Sequence, residues 1–144
     1  MDSVTPAATP LLTPLRQIAH PNGDVYHAMK ASDAGFAGFG EAYFTTVHYG
    51  AMKGWKQHTK MYMNLIVPVG SVCFYLHDEK TGSTTQYELG ANNYARLTVP
   101  PGFWMAFSGV GAGLNLVCNL ASIPHDPAEA INVPIETYPL ESKG

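Results

Sequence analysis

A lysine and a histidine stand two residues apart at the end of the segment Lys53–His58. On a β-strand, side chains two positions apart point to the same face, so Lys56 and His58 are predicted to point into one space. Imidazole changes its charge near neutral pH, which makes His58 a candidate base for removing a proton next to a ketone. Lys56 would hold an enolate oxygen as a cation, or act as a base if burial favoured the uncharged amine. The competing interpretation is a polar sheet face without chemistry.

Two tyrosines and two asparagines are candidates for the same site. Tyr43 and Tyr62 are able to donate a proton, although tyrosines on strands more often pack against neighbouring side chains. Asn64 and Asn119 lie in apolar segments. A buried amide must be hydrogen-bonded, so each asparagine is predicted to bind either a main-chain group or a ligand.

Two tryptophans flank these segments. Trp55 precedes Lys56 directly, and Trp104 follows the turn sequence Pro100-Pro101-Gly102. At the mouth of a barrel their rings would stack on a nucleobase or a sugar, whereas in the wall they would only pack. The sequence leaves both interpretations open.

Short apolar and β-branched segments, separated by turns, predict about eight strands. Glu41–Tyr49 is one such segment and Trp55–Val67 is a longer one, while residues 127–131 alone look briefly helical. The 14 glycines and 11 prolines fall largely between the segments. This pattern is typical of an antiparallel barrel or jelly roll.

The composition limits the classes of function. A chain of 144 residues with a net charge of −3 fits one domain and argues against binding nucleic acid. The apolar runs are too short to span a membrane, and no leader pattern is present, so a cytoplasmic protein is expected. Cys73 and Cys118 sit in apolar segments and are predicted to be buried thiols. Residues 1–14 contain three Thr-Pro steps and are predicted to form an extended, unpaired arm.

Three segments carry a resemblance to the cupin superfamily, and within it to the RmlC-like sugar-nucleotide branch. Lys53–Gly70 resembles the first conserved block, in which an Arg-Gly pair is followed two residues later by a histidine; Lys56 falls at that histidine. In the ketoisomerases a second histidine follows, and His58 matches it. Val99–Phe107 resembles the second block, Ile-Pro-Pro-Gly-Phe-Ala-His-Gly-Phe. His125–Glu129 resembles the tail, where a proline and a glutamate follow the last barrel strand.

The resemblance implies an all-β fold, a cupin or double-stranded β-helix (jelly-roll) barrel, over residues 15–144. It also implies a homodimer formed through the sheet, with the arm of residues 1–14 crossing to the partner. Lys53 stands where the family's arginine meets a pyrophosphate, as a point charge rather than a bidentate fork. The family's catalytic histidine is replaced by Lys56 and its acidic tyrosine by Leu116.

The four positions that bind metal in other cupins hold Lys56, His58, Met63 and Met105 in this chain. Methionine thioether is a poor ligand for the hard and borderline ions that such sites use. The two methionines are therefore expected to fill the core, and neither a metal nor another cofactor is predicted.

The resemblance implies an epimerase or ketoisomerase that acts on a dTDP-4-keto-6-deoxyhexose by proton abstraction next to the ketone. In this hypothesis His58 is the base, Lys56 stabilises the enolate, Lys53 binds the diphosphate, and Tyr62 or Tyr43 returns the proton. Because reactive positions are substituted, a non-catalytic cupin module that binds a sugar nucleotide or another small polar ligand is the alternative. A metal-dependent cupin, such as a dioxygenase, is a third and weaker hypothesis.

Overall fold

The computed structural model describes residues 7–141, and strands form where apolar side chains alternate with polar ones or run continuously. Among these residues there is no α-helix, and hence no helix with the length and apolar character needed to cross a membrane. The strands in chain order are β1 (Leu11–Pro14), β2 (Gln17–Ile18), β3 (Val25–Tyr26), β4 (Glu41–Thr46), β5 (Met52–His58), β6 (Met63–Val69), β7 (Ser71–Asp78), β8 (Ser83–Gly90), β9 (Ala95–Val99), β10 (Trp104–Gly109), β11 (Leu116–Ala121) and β12 (Ala130–Asn132).

Two five-stranded sheets build the barrel. The first has the strand order β1-β9-β6-β11-β4, and the second has the order β12-β5-β10-β7-β8. Strands β2 and β3 form a separate hairpin. Neighbouring strands are antiparallel, and one apolar core lies between the two sheets, with Phe74, Leu89 and Leu97 fully buried in it. This architecture confirms the prediction of an all-β jelly-roll barrel.

The N-terminal segment differs from the predicted arm. Leu11–Pro14 is not unpaired but forms strand β1, which pairs with β9 of the same chain from Leu11↔Thr98 to Pro14↔Ala95. An edge strand tolerates prolines because only one of its two sides has to pair. The prediction that these residues do not pair is therefore wrong, while residues 1–6 of the predicted arm lie outside the described range.

The segment Trp55–Val67, predicted as one strand, is divided between β5 and β6. Residues 59–62 form a corner between them, where the backbone N–H groups of Lys60 and Met61 donate to a side chain from the end of the chain instead of to a neighbouring strand. That side chain is Glu129, which ends a single 3₁₀ turn over Pro127–Glu129. The predicted helical character of residues 127–131 is thus confirmed for Pro127–Glu129 and wrong for Ala130 and Ile131, which belong to strand β12.

The C-terminal segment after β12 covers the outer face of the second sheet. Strand β12 pairs with the edge of β5, and the chain then runs back across Trp55 and Trp104. The indole Nε1 of Trp55 donates to the carbonyl oxygen of Ile135 at 2.9 Å. Tyr138 packs edge-on against the ring of Trp55 at a centroid distance of 5.8 Å. The C-terminal segment therefore shields the outer face of β5 at Trp55 from solvent, and the inner face of β5 is free to line a cavity.

Candidate active site

A bulge in β5 brings three cationic or titratable side chains to one face. Met105 pairs with Lys56 and Phe107 pairs with Lys53, so two residues of β5 lie opposite the single residue Ala106 of β10. The extra residue restores a common face for Lys53 and Lys56, which simple alternation at a spacing of three would separate. Together with His58, both lysines line the same cavity.

Gly54 makes this bulge possible. Its φ is +144°, in the region that favours glycine, and a Cβ built there would lie 2.5 Å from the Cβ of Ala106. A larger side chain would push β5 away from β10. The position of Lys53 relative to Lys56 and His58 therefore depends on a residue without a side chain.

The cavity lies inside the barrel and has a volume of about 290 Å³. Its walls come from both sheets and combine an apolar surface with a few polar groups, as is usual for sites that bind small molecules. The apolar part of the wall consists of Met63, Leu65, Phe74, Met105, Phe107 and Val117. The polar side chains that line it are Tyr43, Thr45, Lys53, Lys56, His58, Asn119 and Asn132.

His58 and Glu129 form a buried dyad at the cavity wall. Nδ1 of His58 lies 2.7 Å from Oε1 of Glu129, and the two residues are 6% and 5% exposed. Oε2 of Glu129 accepts hydrogen bonds of 2.9 Å from the backbone N–H groups of Lys60 and Met61. All of these partners donate to the carboxylate, which is thereby held in its charged form.

The electrostatics of the dyad set the tautomer of the histidine. Burial alone would raise the pKa of Glu129, but the hydrogen bonds from His58, Lys60 and Met61 and the nearby charge of His58 lower that pKa to about 2. An ionised carboxylate only accepts, so Nδ1 of His58 carries a hydrogen, and in the neutral imidazole the lone pair is on Nε2. Nε2 has no hydrogen-bond partner within residues 7–141, so it is available as a base.

Tyr43 and Asn119 lie side by side on the first sheet, which forms the wall facing β5. They are register partners on β4 and β11, and Nδ2 of Asn119 donates to the Tyr43 hydroxyl at 3.0 Å. Asn119 is buried, whereas Tyr43 is 38% exposed and lines the cavity. The sugar-binding cavity that the sequence predicted would thus carry a phenol opposite the imidazole.

Lys53 and Lys56 occupy different environments. Nζ of Lys53 donates to the carbonyl oxygen of Thr46 at 2.8 Å and to the Thr45 hydroxyl at 3.3 Å, and it lies 5.8 Å from the centre of the Phe107 ring. Lys56 is half-buried and forms no ion pair with any residue in the described part of the chain. Of the two ammonium groups, that of Lys56 has no hydrogen-bond or ion-pair partner among residues 7–141 and is available to a ligand there.

Four predicted site residues do not reach the cavity. Trp55 and Trp104 project from the outer face of the second sheet, because each is adjacent in sequence to a residue that faces inward. There they pack under the C-terminal segment, so the interpretation that they stack on a ligand is wrong. Tyr62 lies at the corner between β5 and β6, where its backbone N–H binds the Ser122 hydroxyl.

Asn64 is the fourth residue outside the cavity. Its Nδ2 donates to the carbonyl oxygen of Gly35 at 3.1 Å, and its Oδ1 accepts from the Thr98 hydroxyl at 2.6 Å. These two hydrogen bonds within the protein therefore satisfy the buried amide of Asn64. Its side chain points to the opposite face of β6 from the core residues Met63 and Leu65. Asn119 alone of the two asparagines reaches the cavity wall.

Sequence reasoning missed two residues of the site. The sequence resemblance indicates Glu129 only as part of the tail and implies no role for it at the site. Asn132, which pairs with Lys56 across β12 and β5, lines the cavity as well. Among residues 7–141, no three histidine, cysteine, aspartate or glutamate side chains come together in a way that would hold a metal ion.

The jelly-roll barrel, with a largely apolar cavity that carries a few polar groups and a His–Glu dyad at its wall, defines a cupin with an enzyme-like site. A scan against protein-family models finds no match, and a search of curated proteins finds none either. Solved structures do match. The dTDP sugar isomerase from Desulfovibrio desulfuricans G20 is 33% identical, with a TM-score of 0.85, over 94% of this chain and 90% of that one.

Two more distant structures share the fold. A variant of the 3,4-ketoisomerase QdtA from Thermoanaerobacterium thermosaccharolyticum, in complex with TDP-4-keto-6-deoxyglucose, is 23% identical with a TM-score of 0.74, over 87% of this chain and 88% of that one. The 3′-monoepimerase ChmJ from Streptomyces bikiniensis, in complex with dTDP-quinovose, is 13% identical with a TM-score of 0.78, over 90% and 73%. This chain belongs to the RmlC-like cupin family that includes the dTDP sugar isomerase, as the sequence resemblance implied.

Proposed function

We propose that this protein is a sugar-nucleotide epimerase or ketoisomerase that acts on a dTDP-4-keto-6-deoxyhexose. The observation that carries this function is the His58–Glu129 dyad, in which Nδ1 of His58 is bonded to the carboxylate and Nε2 has no partner within residues 7–141, at a cavity inside the barrel. The similarity to a dTDP sugar isomerase over almost the whole chain supports the same substrate class.

The proposed reaction begins with proton abstraction. His58 Nε2 removes a proton from a carbon next to the ketone, and Glu129 stabilises the imidazolium that forms. Negative charge then develops on the ketone oxygen, where Lys56 supplies a positive charge. Tyr43 returns a proton from the facing wall, a role for which Tyr62 lies in the wrong place.

The remaining cavity residues fit the rest of the substrate. The apolar wall formed by Met63, Phe74 and Met105 suits the methyl group of a 6-deoxy sugar. Lys53 is exposed next to the cavity and is proposed to contact the diphosphate, as a point charge. No step of this scheme draws on a metal or a cofactor.

Deuterium exchange tests the function directly. The protein is incubated in heavy water with dTDP-4-keto-6-deoxyglucose, and hydrogen at C3 and C5 is followed by NMR and mass spectrometry. We expect deuterium to enter at C3 or C5 in catalytic excess over the protein, because the enolate takes its new hydrogen from groups that exchange with solvent. Saturable binding of the sugar nucleotide without any exchange would instead identify a binding module and overturn the enzymatic proposal.

We further propose a cytoplasmic homodimer. The outer face of the first sheet exposes Phe44, which is 66% accessible, and the β2–β3 hairpin exposes Val25 and Tyr26. Apolar side chains of this size on a sheet face are typical of an interface. Both cysteines are free thiols, as expected in a reducing compartment. Light scattering on the purified protein should return twice the chain mass of 15.5 kDa, and a mass of one chain would contradict the dimer.

A further inference from the structure

We propose that Asn119 is a positioning residue that orients the Tyr43 hydroxyl, so that this tyrosine donates its proton into the cavity. The inference rests on the proposed function, because it concerns the group that returns a proton to the substrate. It assigns to Asn119 a role through Tyr43 rather than a contact with the sugar nucleotide.

Hydrogen-bond polarity fixes the orientation of the Asn119 amide. The backbone N–H of Asn64 points at this side chain from the neighbouring strand β6, with 3.1 Å between N and Oδ1. A backbone N–H can only donate, so the atom that faces it must be the amide oxygen. The amide nitrogen must then be the atom that faces Tyr43. With Asn119 1% exposed, water has little access to exchange these partners.

The fixed amide determines what the tyrosine can do. Nδ2 of Asn119 has hydrogens only, so the Tyr43 oxygen accepts the 3.0 Å hydrogen bond. The hydroxyl hydrogen of Tyr43 therefore points away from Asn119, and it has no acceptor within residues 7–141. Because Tyr43 lines the cavity, that hydrogen is available to a bound ligand.

Asn64, whose backbone N–H orients the Asn119 amide, is itself held in place by hydrogen bonds. Asn64 is held by both ends of its own side chain, through Gly35 and Thr98, on a central strand of the first sheet. Tyr43 lies on β4, an edge strand, so its position is supported from one side only. A hydrogen bond from the buried Asn119 compensates for this, and it holds the phenol on the wall opposite His58.

The test is a double-mutant cycle with Asn119→Asp and Tyr43→Phe, assayed with dTDP-4-keto-6-deoxyglucose in heavy water. An aspartate still accepts from the Asn64 N–H, but its second oxygen accepts the Tyr43 proton and turns it away from the cavity. We expect each single variant to lower product formation by about 10²-fold. In the Tyr43→Phe background, Asn119→Asp should change product formation by less than about threefold, because its effect acts through the tyrosine.

A second readout separates positioning from general damage. Exchange of the substrate's own hydrogen should continue in Asn119→Asp within about threefold of the wild-type rate, because His58 can return a deuteron to the face it came from. The control is Asn92→Asp, which adds the same charge at an exposed turn. Tyr43→Phe alters only a partly exposed hydroxyl, so it tests proton donation even if an Asn119 variant fails to fold.

Several results would overturn the inference. These are full product formation by Tyr43→Phe or by Asn119→Asp, an equal loss of exchange and product formation in Asn119→Asp, or an undiminished effect of Asn119→Asp in the Tyr43→Phe background. If the wild-type protein exchanges hydrogen and any of these results appears, only the role of Asn119 is lost. If the wild-type protein neither exchanges nor converts the substrate, the proposed function and the role of Asn119 are both rejected.

Discussion

His58→Gln is expected to lower hydrogen exchange and turnover of dTDP-4-keto-6-deoxyglucose by about 10² to 10⁴-fold. The His58 imidazole lines the cavity, and its Nε2 has no hydrogen-bond partner within residues 7–141, whereas an amide cannot take up a proton at neutral pH. Glutamine still offers an N–H to the Glu129 carboxylate, so we expect the variant to remain folded. Rates of deuterium incorporation, together with thermal unfolding, measure both expectations.

The matched control is His48→Gln, because His48 is exposed and does not line the cavity. It should keep wild-type exchange. His58→Ala is less informative, since it leaves the buried Glu129 carboxylate without its side-chain partner and is expected to unfold more easily. Exchange at the wild-type rate in a folded His58→Gln protein would show that another group is the base.

Acid is expected to remove about 3 kcal/mol of folding free energy through Glu129 alone. The pKa of this carboxyl is about 2 in the folded protein, below its ordinary value of 4.5. A lowered pKa means that the charged form stabilises the fold, so the contribution is complete above pH 4.5. It is lost as the pH falls from about 4.5, where the carboxyl of the unfolded chain takes up a proton, towards about 2, where the carboxyl of the folded protein takes one up as well.

Urea unfolding of the wild-type and Glu129→Gln proteins between pH 6 and pH 2 isolates this contribution, since glutamine does not titrate. We expect the wild-type protein to be more stable at pH 6 and the difference to close near pH 2. Glu136→Gln serves as the control, because Glu136 is exposed in the next turn and forms no hydrogen bond through its side chain in the described residues. A difference between wild type and Glu129→Gln that does not change with pH would show that the carboxylate is not held as described.

Part of the site can be predicted from the sequence, because side chains alternate between the two faces of a β-strand. Lys56 and His58 lie on the same face because they are two residues apart, and the structure places both at the cavity. The same rule, applied to adjacent residues, would have placed Trp55 and Trp104 on the opposite face from Lys56 and Met105. Alternation is thus the sequence signal that favours packing over ligand stacking for these two tryptophans.

Other parts could not be derived from local pattern. The side chain of Glu129 reaches His58 across 71 residues, and nothing near His58 in sequence indicates that partner. The common face of Lys53 and Lys56 depends on the bulge at Gly54, which a regular period of two cannot reveal. Pairing of Leu11–Pro14 with β9 is a tertiary contact that overrides the low strand propensity of proline.

The position of Glu129 after strands β1 to β11 has a consequence for biosynthesis. A ribosome releases the N-terminal part first, so both sheets apart from β12 have been synthesised before Glu129 emerges. A nascent barrel of that kind contains His58 without the carboxylate that fixes its tautomer. The tautomer of His58 is therefore fixed only after strands β1 to β11 have been synthesised.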